Sequence, residues 1–431
     1  MEVSVLEADS RAGGKIGSER IGGFLCEKGP GGFLDNKPTT LQLCDTLGLK
    51  PLRSNDNARK RFLFTKGKLN VLPDSPPAFL KSNILSWRGK IRMALDVIAP
   101  KGPADETVAE FVSRRLGSEA LEQLIDPMVS GVYAGDPRQM SITSAFPRIK
   151  ELEQQYGSLI RALVKIRKQR KKQPDSQSNS KVSTSPGGNL TSFDDGVQTL
   201  TDSLALHLGD RLRTGVFVHG LEKTPGGYRL HTSTGDLDSD MVVLATPAFV
   251  SADILHDLDQ SVAQILATIA YPHVSVVCLG YEKEKVSHKL DGFGFLVPHK
   301  EHRKILGTLW DTSIFDNRAA PGRVLLRTMV GGAQYPEVAD LDDRQLLDTV
   351  VGELQQILGA DTDPDMVQIY RWQKAIPQYV LGHGNKLEMI DSRMRAYEGL
   401  YLTGNAYRGI GMNDCIANAY SLARDIATKL T

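Results

Sequence analysis

The 431-residue chain has few cysteines: Cys26, Cys44, Cys278 and Cys415 are scattered, with no C-x-x-C pair. This excludes a zinc ribbon and a disulfide framework and fits a reducing compartment. No apolar run approaches the roughly 18 residues of a spanning helix. The best candidates, Met241 to Val250 and Val274 to Gly280, are of strand length, so a transmembrane anchor is excluded. A surplus of one charge is also missing, since 52 Lys and Arg against 51 Asp and Glu leave +1. Nucleic acid is therefore not an expected partner. G-x-S-x-G, Walker and H-E-x-x-H motifs do not occur, and the nine histidines form no ligand spacing. Nucleophilic and metal chemistry are not expected, and a bound cofactor must supply the reaction. Met1 to Glu7 lack the basic start of a signal peptide and the Arg/Ser-rich pattern of a transit peptide, which makes the cytoplasm the expected location.

What is present is an ordinary globular composition, 41% hydrophobic and 24% charged, enough for a sizeable core in two or three domains. Val3-Ser-Val5-Leu-Glu7 predicts a short strand ending on a carboxylate, before the Gly-rich stretch Arg11-Ala-Gly13-Gly14-Lys15. Thr39 to Leu47 predicts a helix, and Arg61 to Phe64 a strand entering the turn Lys66-Gly67-Lys68. Apolar residues from Phe79 to Ile98, interleaved with Lys81, Arg88, Lys90 and Arg92, predict amphipathic helix, and Ala109 to Leu124 a second. The basic cluster from Arg161 to Lys172 and the Ser-, Gln- and Pro-rich run from Pro174 to Gly188 predict a disordered loop over 165–190. Beyond it come a helix from Val197 to Leu208 and strands at Val216 to His219, Tyr228 to Thr232 and Met241 to Ala245, with a hairpin at Gly226-Gly227. Strands follow from Val274, Phe293, Ile305 and Val324, then a helix from Arg344 to Leu358, a strand from Gly399 to Leu402 and a last helix from Asp414 to Lys429.

Strands at both ends with separate blocks between predict an α/β plus α+β architecture. One nucleotide-binding, Rossmann-like domain is assembled from 1–60, 191–250 and 386–431. A mixed-sheet domain takes 61–75 and 251–385, and a helical domain 76–164.

Three constellations bear chemistry. Glu7 with Arg11, Gly13 and Gly14 fits the place where a dinucleotide fold holds a ribose hydroxyl and lets backbone approach the cofactor. A solvated Glu before a flexible turn is the alternative, and the longer spacing through Lys15 to Glu27-x-Gly29-Pro30-Gly31 is the more specific signal. The run from Gly404 through Gly411-Met412-Asn413-Asp414 puts a Gly-rich turn before a helix N-terminus, suited to a phosphate or the pyrimidine edge of a flavin. A plain loop capped by Asn413 or Asp414 is the alternative. The third, Phe79 to Ala99 with Trp87, fits either a helix lying on a membrane surface or a core-facing helix with a wet basic face.

Leu6-Glu7-Ala-Asp9-x-Arg11-Ala-Gly13-Gly14-Lys15 with Glu27-Lys-Gly29-Pro30 resembles the flavin amine-oxidase-like superfamily. Within it, Asp126-Pro127-Met-Val-Ser130-Gly131-Val-Tyr133, Gly292-Phe293-Gly294-Phe295 and Tyr401-Leu-x-Gly404-Asn405-x-Tyr407-Arg408-Gly409-x-Gly411 resemble the oxygen-dependent protoporphyrinogen oxidase family. The resemblance implies FAD as cofactor and oxidation of protoporphyrinogen IX to protoporphyrin IX, with O2 reoxidising the flavin. It gives Arg61 to a substrate propionate, Phe293 to one pyrrole ring, Leu258 and Val274 to another, and Gly131 to the pocket lining. It gives Glu7 to the adenosine ribose, and Arg11, Gly14 and Lys15 to the neighbourhood of the pyrophosphate, with Gly13 in the same cofactor set. Gly29, Pro30, Gly31 and Gly32 go to the isoalloxazine, Val218 to the adenine, Trp372 to the flavin region, and Gly411, Met412 and Asn413 to the pyrimidine edge, with Gly404 in the same cofactor set. No general base is implied. A poorly soluble substrate makes the helical domain membrane-facing and the association peripheral, and a homodimer is an open expectation.

One departure stands out. The family begins with a strand and a G-x-G-x-x-G turn, whereas here Gly292-Phe-Gly294 and Gly409-Ile-Gly411 start the pattern and neither completes it. Two readings stay open. Either the sequence starts internally, which leaves organellar targeting open, or it is a short form that binds FAD poorly and acts as a porphyrin-binding protein. Another FAD amine oxidase or desaturase is the third reading.

Overall fold

The computed structural model describes residues 2–172 and 188–430. The disordered stretch expected from Pro174 lies outside these residues up to position 187. The basic run before it is not loop, because Leu159–Lys172 is one helix and the boundary placed at 165 falls inside it.

Each end of the chain pairs in parallel with a strand from its middle, in two separate two-stranded sheets. β1 (Val5–Glu7) pairs with β9 (Leu212–Thr214), and β13 (Val242–Leu244) with β19 (Leu400–Leu402). Parallel partners this distant in sequence are what a discontinuous nucleotide-type domain requires. A meander of β10 (Val218–Thr224), β11 (Gly227–Thr232) and β12 (Leu237–Ser239) follows the first pair, with Thr224 opposite Gly227 at the hairpin. The helices Ala248–Leu255 and Gln260–Ala267 bury Ala252, Leu255, Val262 and Leu266 in one core with Val242, Leu244 and Leu400. They therefore belong with the nucleotide-type strands, although they lie at and beyond residue 250.

The largest sheet has seven strands in the order β18 (Met366–Trp372), β14 (Val274–Glu282), β17 (Arg323–Gly331), β16 (Gly307–Trp310), β15 (Gly294–Leu296), β6 (Arg61–Thr65) and β7 (Lys68–Val71). Every contact is antiparallel except β15 with β6. β14 is buried from Val274 to Tyr281, and a strand covered on both faces reads as a continuous apolar run. On one face Val277, Leu279 and Tyr281 join Phe62, Phe295 and Leu326 beneath the helix Asp343–Leu358. On the other, Val276 and Cys278 meet Phe24 and Cys26 of the hairpin β2 (Ser18–Ile21) and β3 (Phe24–Glu27). Gly280 lies against the Phe24 ring, where an added Cβ would stand 2.6 Å from ring carbons. Gly280→Ala should therefore cost about 1–3 kcal/mol through overpacking, read as a lower denaturation midpoint. A small antiparallel sheet of β4 (Phe33–Leu34), β8 (Leu190–Ser192) and β5 (Leu52–Arg53) completes the strand inventory of the described residues.

The helical block is more broken than its periodicity predicts. Its first part divides into Pro76–Lys81 and Trp87–Ala94 because Ser86 starts a new helix, its Oγ accepting from Gly89 N at 3.0 Å and donating to Glu119. The second helix, Val108–Arg115, opens on a capping box of Thr107 and Glu110 and stops before Gly117, whose φ of +94° turns the chain. The centre of the block is charged: Arg114, Arg115 and Lys150 meet Asp96, Glu106 and Glu153. No helix of the described residues is long and apolar enough to cross a membrane.

Candidate flavin and substrate site

β1 carries Glu7 to its C-terminal end, where the side chain accepts from Asp9 N at 3.0 Å. Val216 N donates to the Glu7 carbonyl at 2.9 Å, which brings Val218, the first residue of β10, to the same end. Arg11 closes the adjoining turn, donating to the carbonyls of Ala12, Gly14 and Ile16 at 2.9–3.0 Å. Gly13 abuts the helix Gln198–Leu208, where a Cβ would stand 2.9 Å from Thr201, and Gly14 takes a φ of +53°. Lys15 departs from its neighbours. Its Nζ donates to the Ala375 carbonyl and lies 5.4 Å from the centre of the Tyr271 ring, and burial lowers its pKa to about 8. The set assigned to the pyrophosphate is thus divided, with Arg11 and Gly14 by β1 and Lys15 against the chain just beyond β18.

The loop after β3 is pressed onto the large sheet. Trp372 Nε1 donates to Lys28 O at 2.7 Å and Arg327 Nη1 to Gly29 O at 2.7 Å. A Cβ on Gly29 would stand 2.6 Å from Lys15 O, one on Gly31 would meet the Arg327 guanidinium, and one on Gly32 the Thr191 carbonyl. Gly29-Pro30-Gly31-Gly32 therefore presents bare backbone. Arg327 is held by Asp311, through Nε at 2.8 Å and Nη2 at 3.2 Å; burial opposes its charge, but Asp311 outweighs burial and the guanidinium stays protonated. Glu27 accepts from Ser18 Oγ at 2.5 Å, Val197 N at 3.1 Å and Arg318 Nη2 at 3.2 Å. Burial pushes the Glu27 carboxyl up and Arg318 offsets part of that rise.

The second Gly-rich turn reaches the same place. Gly404 has a φ of +126°, and the Gly411 carbonyl accepts from Asp414 N and Cys415 N at 3.0 and 3.1 Å to start the helix Met412–Leu430. Asn413 donates to Leu34 O at 2.8 Å and accepts from Thr40 at 2.6 Å, while Met412 packs in the cluster of Phe33 and Leu41. Asn413 is thus a tie between this helix and the chain just past Gly32.

Register shows what shares a face of the large sheet. Directly paired residues point the same way. One row across the strands is Gln368, Cys278, Arg327, Leu309, Gly294 and Arg61; the next is Tyr370, Val276, Met329, Gly307, Leu296 and Leu63. Trp372, Val274 and Gly331 begin a third. All lie on the face that holds the 28–32 loop. Phe293 precedes β15, with its ring 5.4 Å from the Arg61 guanidinium. Gly131, on the helix Asp126–Tyr133, lies against Leu296, where a Cβ would approach to 2.8 Å. Arg61, Phe293, Val274, Gly131, Trp372 and Gly29 to Gly32 are therefore carried on or against one face. Leu258 is not: it packs in the helical core of Val262, Leu266 and Leu400. Beside Val274, Asp136, Tyr271, Pro272, Ala333 and Gln378 line a cavity of about 170 Å³.

The model of the flavin containing amine oxidoreductases matches residues 1–427. The chain belongs to that family. Among its relatives, protoporphyrinogen oxidase 1 of Arabidopsis thaliana chloroplasts is 34% identical, over 98% of this chain and 82% of the relative. Coproporphyrinogen III oxidase of Bacillus subtilis is 30% identical, over the whole of this chain and 92% of the relative. A solved structure from Exiguobacterium sp. 255-15, provisionally named a protoporphyrinogen oxidase, superposes with a TM-score of 0.83 at 26% identity, over 99% and 93% of the two chains. The family is flavin-containing, and the residues present fit the ring and ribose portions of FAD: bare backbone at Gly29 to Gly32, the helix start at Gly411 to Asn413 and the strand-end carboxylate of Glu7. A G-x-G-x-x-G turn for the pyrophosphate does not occur in residues 1–431. Arg327 and Asp311 went unnoticed in the sequence, although one arginine within Val324-Leu-Leu-Arg327-Thr-Met-Val330 is a signal of a buried cation needing a partner.

Proposed function

We propose that the chain oxidises protoporphyrinogen IX to protoporphyrin IX in heme biosynthesis, with FAD taking hydride from the macrocycle and O2 as final acceptor. The observation that carries this reading is the sheet row from Arg327, at the flavin loop, to Arg61. They are three strand spacings apart, about 14 Å, with Leu309 and Gly294 between them. An apolar disc with carboxylates at one edge needs an apolar bed ending in a cation. Phe293, Leu309 and Leu296 supply the bed and Arg61 the cation. The protein's part is to hold the disc in one orientation and keep water off its face. The test is purified protein with protoporphyrinogen IX under air, followed by porphyrin fluorescence. A yellow protein that forms no porphyrin sinks the assignment.

Coproporphyrinogen III is the second reading, favoured by the Bacillus relative. It has two more carboxylates, so a ratio of kcat/KM values above one for the dicarboxylate decides for protoporphyrinogen.

Peripheral membrane binding is part of the proposal. Trp87, Ile91, Leu95 and Ile98 are 68%, 62%, 45% and 75% exposed at spacings of four, four and three, so they line one face of a helical segment. Lys81 and Arg88 are the exposed cations of this stretch, whereas Lys90 is buried with its Nζ donating to the Leu80 and Ser82 carbonyls at 2.7 and 2.6 Å. Apolar side chains rimmed by cations suit the headgroup boundary. The protein should float with anionic liposomes and Trp87→Glu should not, and flotation of both would place the contact elsewhere.

A further inference from the structure

Arg327 has no part in the expected site, yet the flavin loop hangs on it. Lys28 and Gly29 offer consecutive carbonyls, and both are taken by side chains of one sheet face, Trp372 and Arg327. On the loop's N-terminal side Glu27 is fixed by Arg318, and on its far side Gly32 abuts Thr191. Arg327 is 4% exposed, and its remaining nitrogens engage Asp311. An arginine and a carboxylate so paired form a rigid fork, and a third donor leaves the fork at a fixed angle. Because Arg327 also sits in the row ending at Arg61, it fixes the loop relative to the substrate cation through strand pairing alone.

We propose that Arg327 is a positioning residue that, braced by Asp311, fixes the Gly29-Pro30-Gly31 backbone against which the flavin ring lies. This rests on the reading of that loop as the flavin's bed, but not on which porphyrinogen is oxidised. Removing the guanidinium frees the Gly29 carbonyl and opens space beside Gly31, so the ring is held less tightly and at a variable distance from the substrate. The bond to Arg61 is not involved, so KM should change little.

The experiment compares the full chain with Arg327→Lys, Arg327→Met and the charge-balanced pair Arg327→Met with Asp311→Asn, which avoids stranding a buried carboxylate. Three readouts are taken: amide hydrogen exchange at residues 28–32, FAD affinity by flavin fluorescence, and KM against kcat for porphyrinogen. In the charge-balanced pair, exchange at Gly29, Gly31 and Gly32 should quicken about tenfold or more, and FAD affinity and kcat should fall by a similar factor. KM should stay within about twofold, and Arg327→Lys should recover part of the loss because one prong of the fork remains. A charge-balanced variant with native circular dichroism and unchanged loop exchange overturns the proposal. A parent chain that binds FAD with a protected loop but oxidises no porphyrinogen would instead overturn only the proposed reaction.

Discussion

Arg115→Met should destabilise the protein by about 3–5 kcal/mol, the usual result of removing one member of a buried charge network and leaving the rest unpaired. Arg115 and Asp96 are both fully buried and Glu153 nearly so. Arg115 Nε donates to Glu153 at 2.8 Å, and Nη1 donates to Asp96 at 3.2 Å and to the carbonyls of Ala99 and Gly157 at 3.1 and 3.0 Å. One side chain therefore joins the segment after Trp87–Ala94 to the helices Val108–Arg115 and Pro147–Tyr156. Lys150 and Arg114 can still face Glu153, at 2.7 and 2.8 Å, but among the described residues Asp96 keeps only Ser158 and the Ile160 amide. Urea denaturation measures the loss, and a change under about 1 kcal/mol would mean that the block tolerates an unpaired Asp96.

The same cluster sets an acid limit. Burial alone would raise the Glu153 carboxyl, but bonds from Lys150, Arg115 and Arg114 bring it down to about 2 from an ordinary 4.5. With the folded value below the unfolded one, its contribution is complete above about pH 4.5 and is lost as pH falls towards 2. Stability measured between pH 6 and 3 should decline, and the decline should be shallower in Glu153→Gln. Equal slopes would assign the acid sensitivity to other carboxylates.

The sequence made some of this visible for physical reasons. β14 is legible because a strand buried on both faces must be apolar throughout, and the turn at Gly226-Gly227 because paired glycines leave little else to the chain. Helical periodicity survived across Ser82 to Ser86 and across Gly117 because apolar faces stay in phase after a cap or a turn, so two long helices were expected where shorter ones stand. Leu258 was placed by a loose match, and its helical surroundings pack on β13 and β19 instead of the large sheet. Asp311 and Arg327 meet only because the chain leaves β16, turns and returns as β17 with Arg327 opposite Leu309. Such a pairing depends on register between strands, which composition and periodicity do not carry.

Arg61→Ala should raise KM for porphyrinogen about tenfold to 150-fold while leaving FAD content unchanged. A charged hydrogen bond contributes about 1.5–3 kcal/mol, and 1.4 kcal/mol is a factor of ten. The neighbouring cation offers a control. Lys60 is neutralised by Asp291 at 2.5 Å, whereas Arg61 has only the Phe293 ring, at 5.4 Å, and no carboxylate partner among the described residues. Its exposure at the end of the apolar row leaves the fork open to a propionate, and Phe293 limits its swing. Arg61→Lys should recover part of the affinity, since a point charge remains but the paired bonds do not. Lys60→Met should leave KM within about twofold, because its charge is already spent on an exposed ion pair. Equal effects at both positions would reduce Arg61 to one contributor to a diffuse positive field, and an unchanged KM in Arg61→Ala would move the carboxylate anchor off this edge of the sheet.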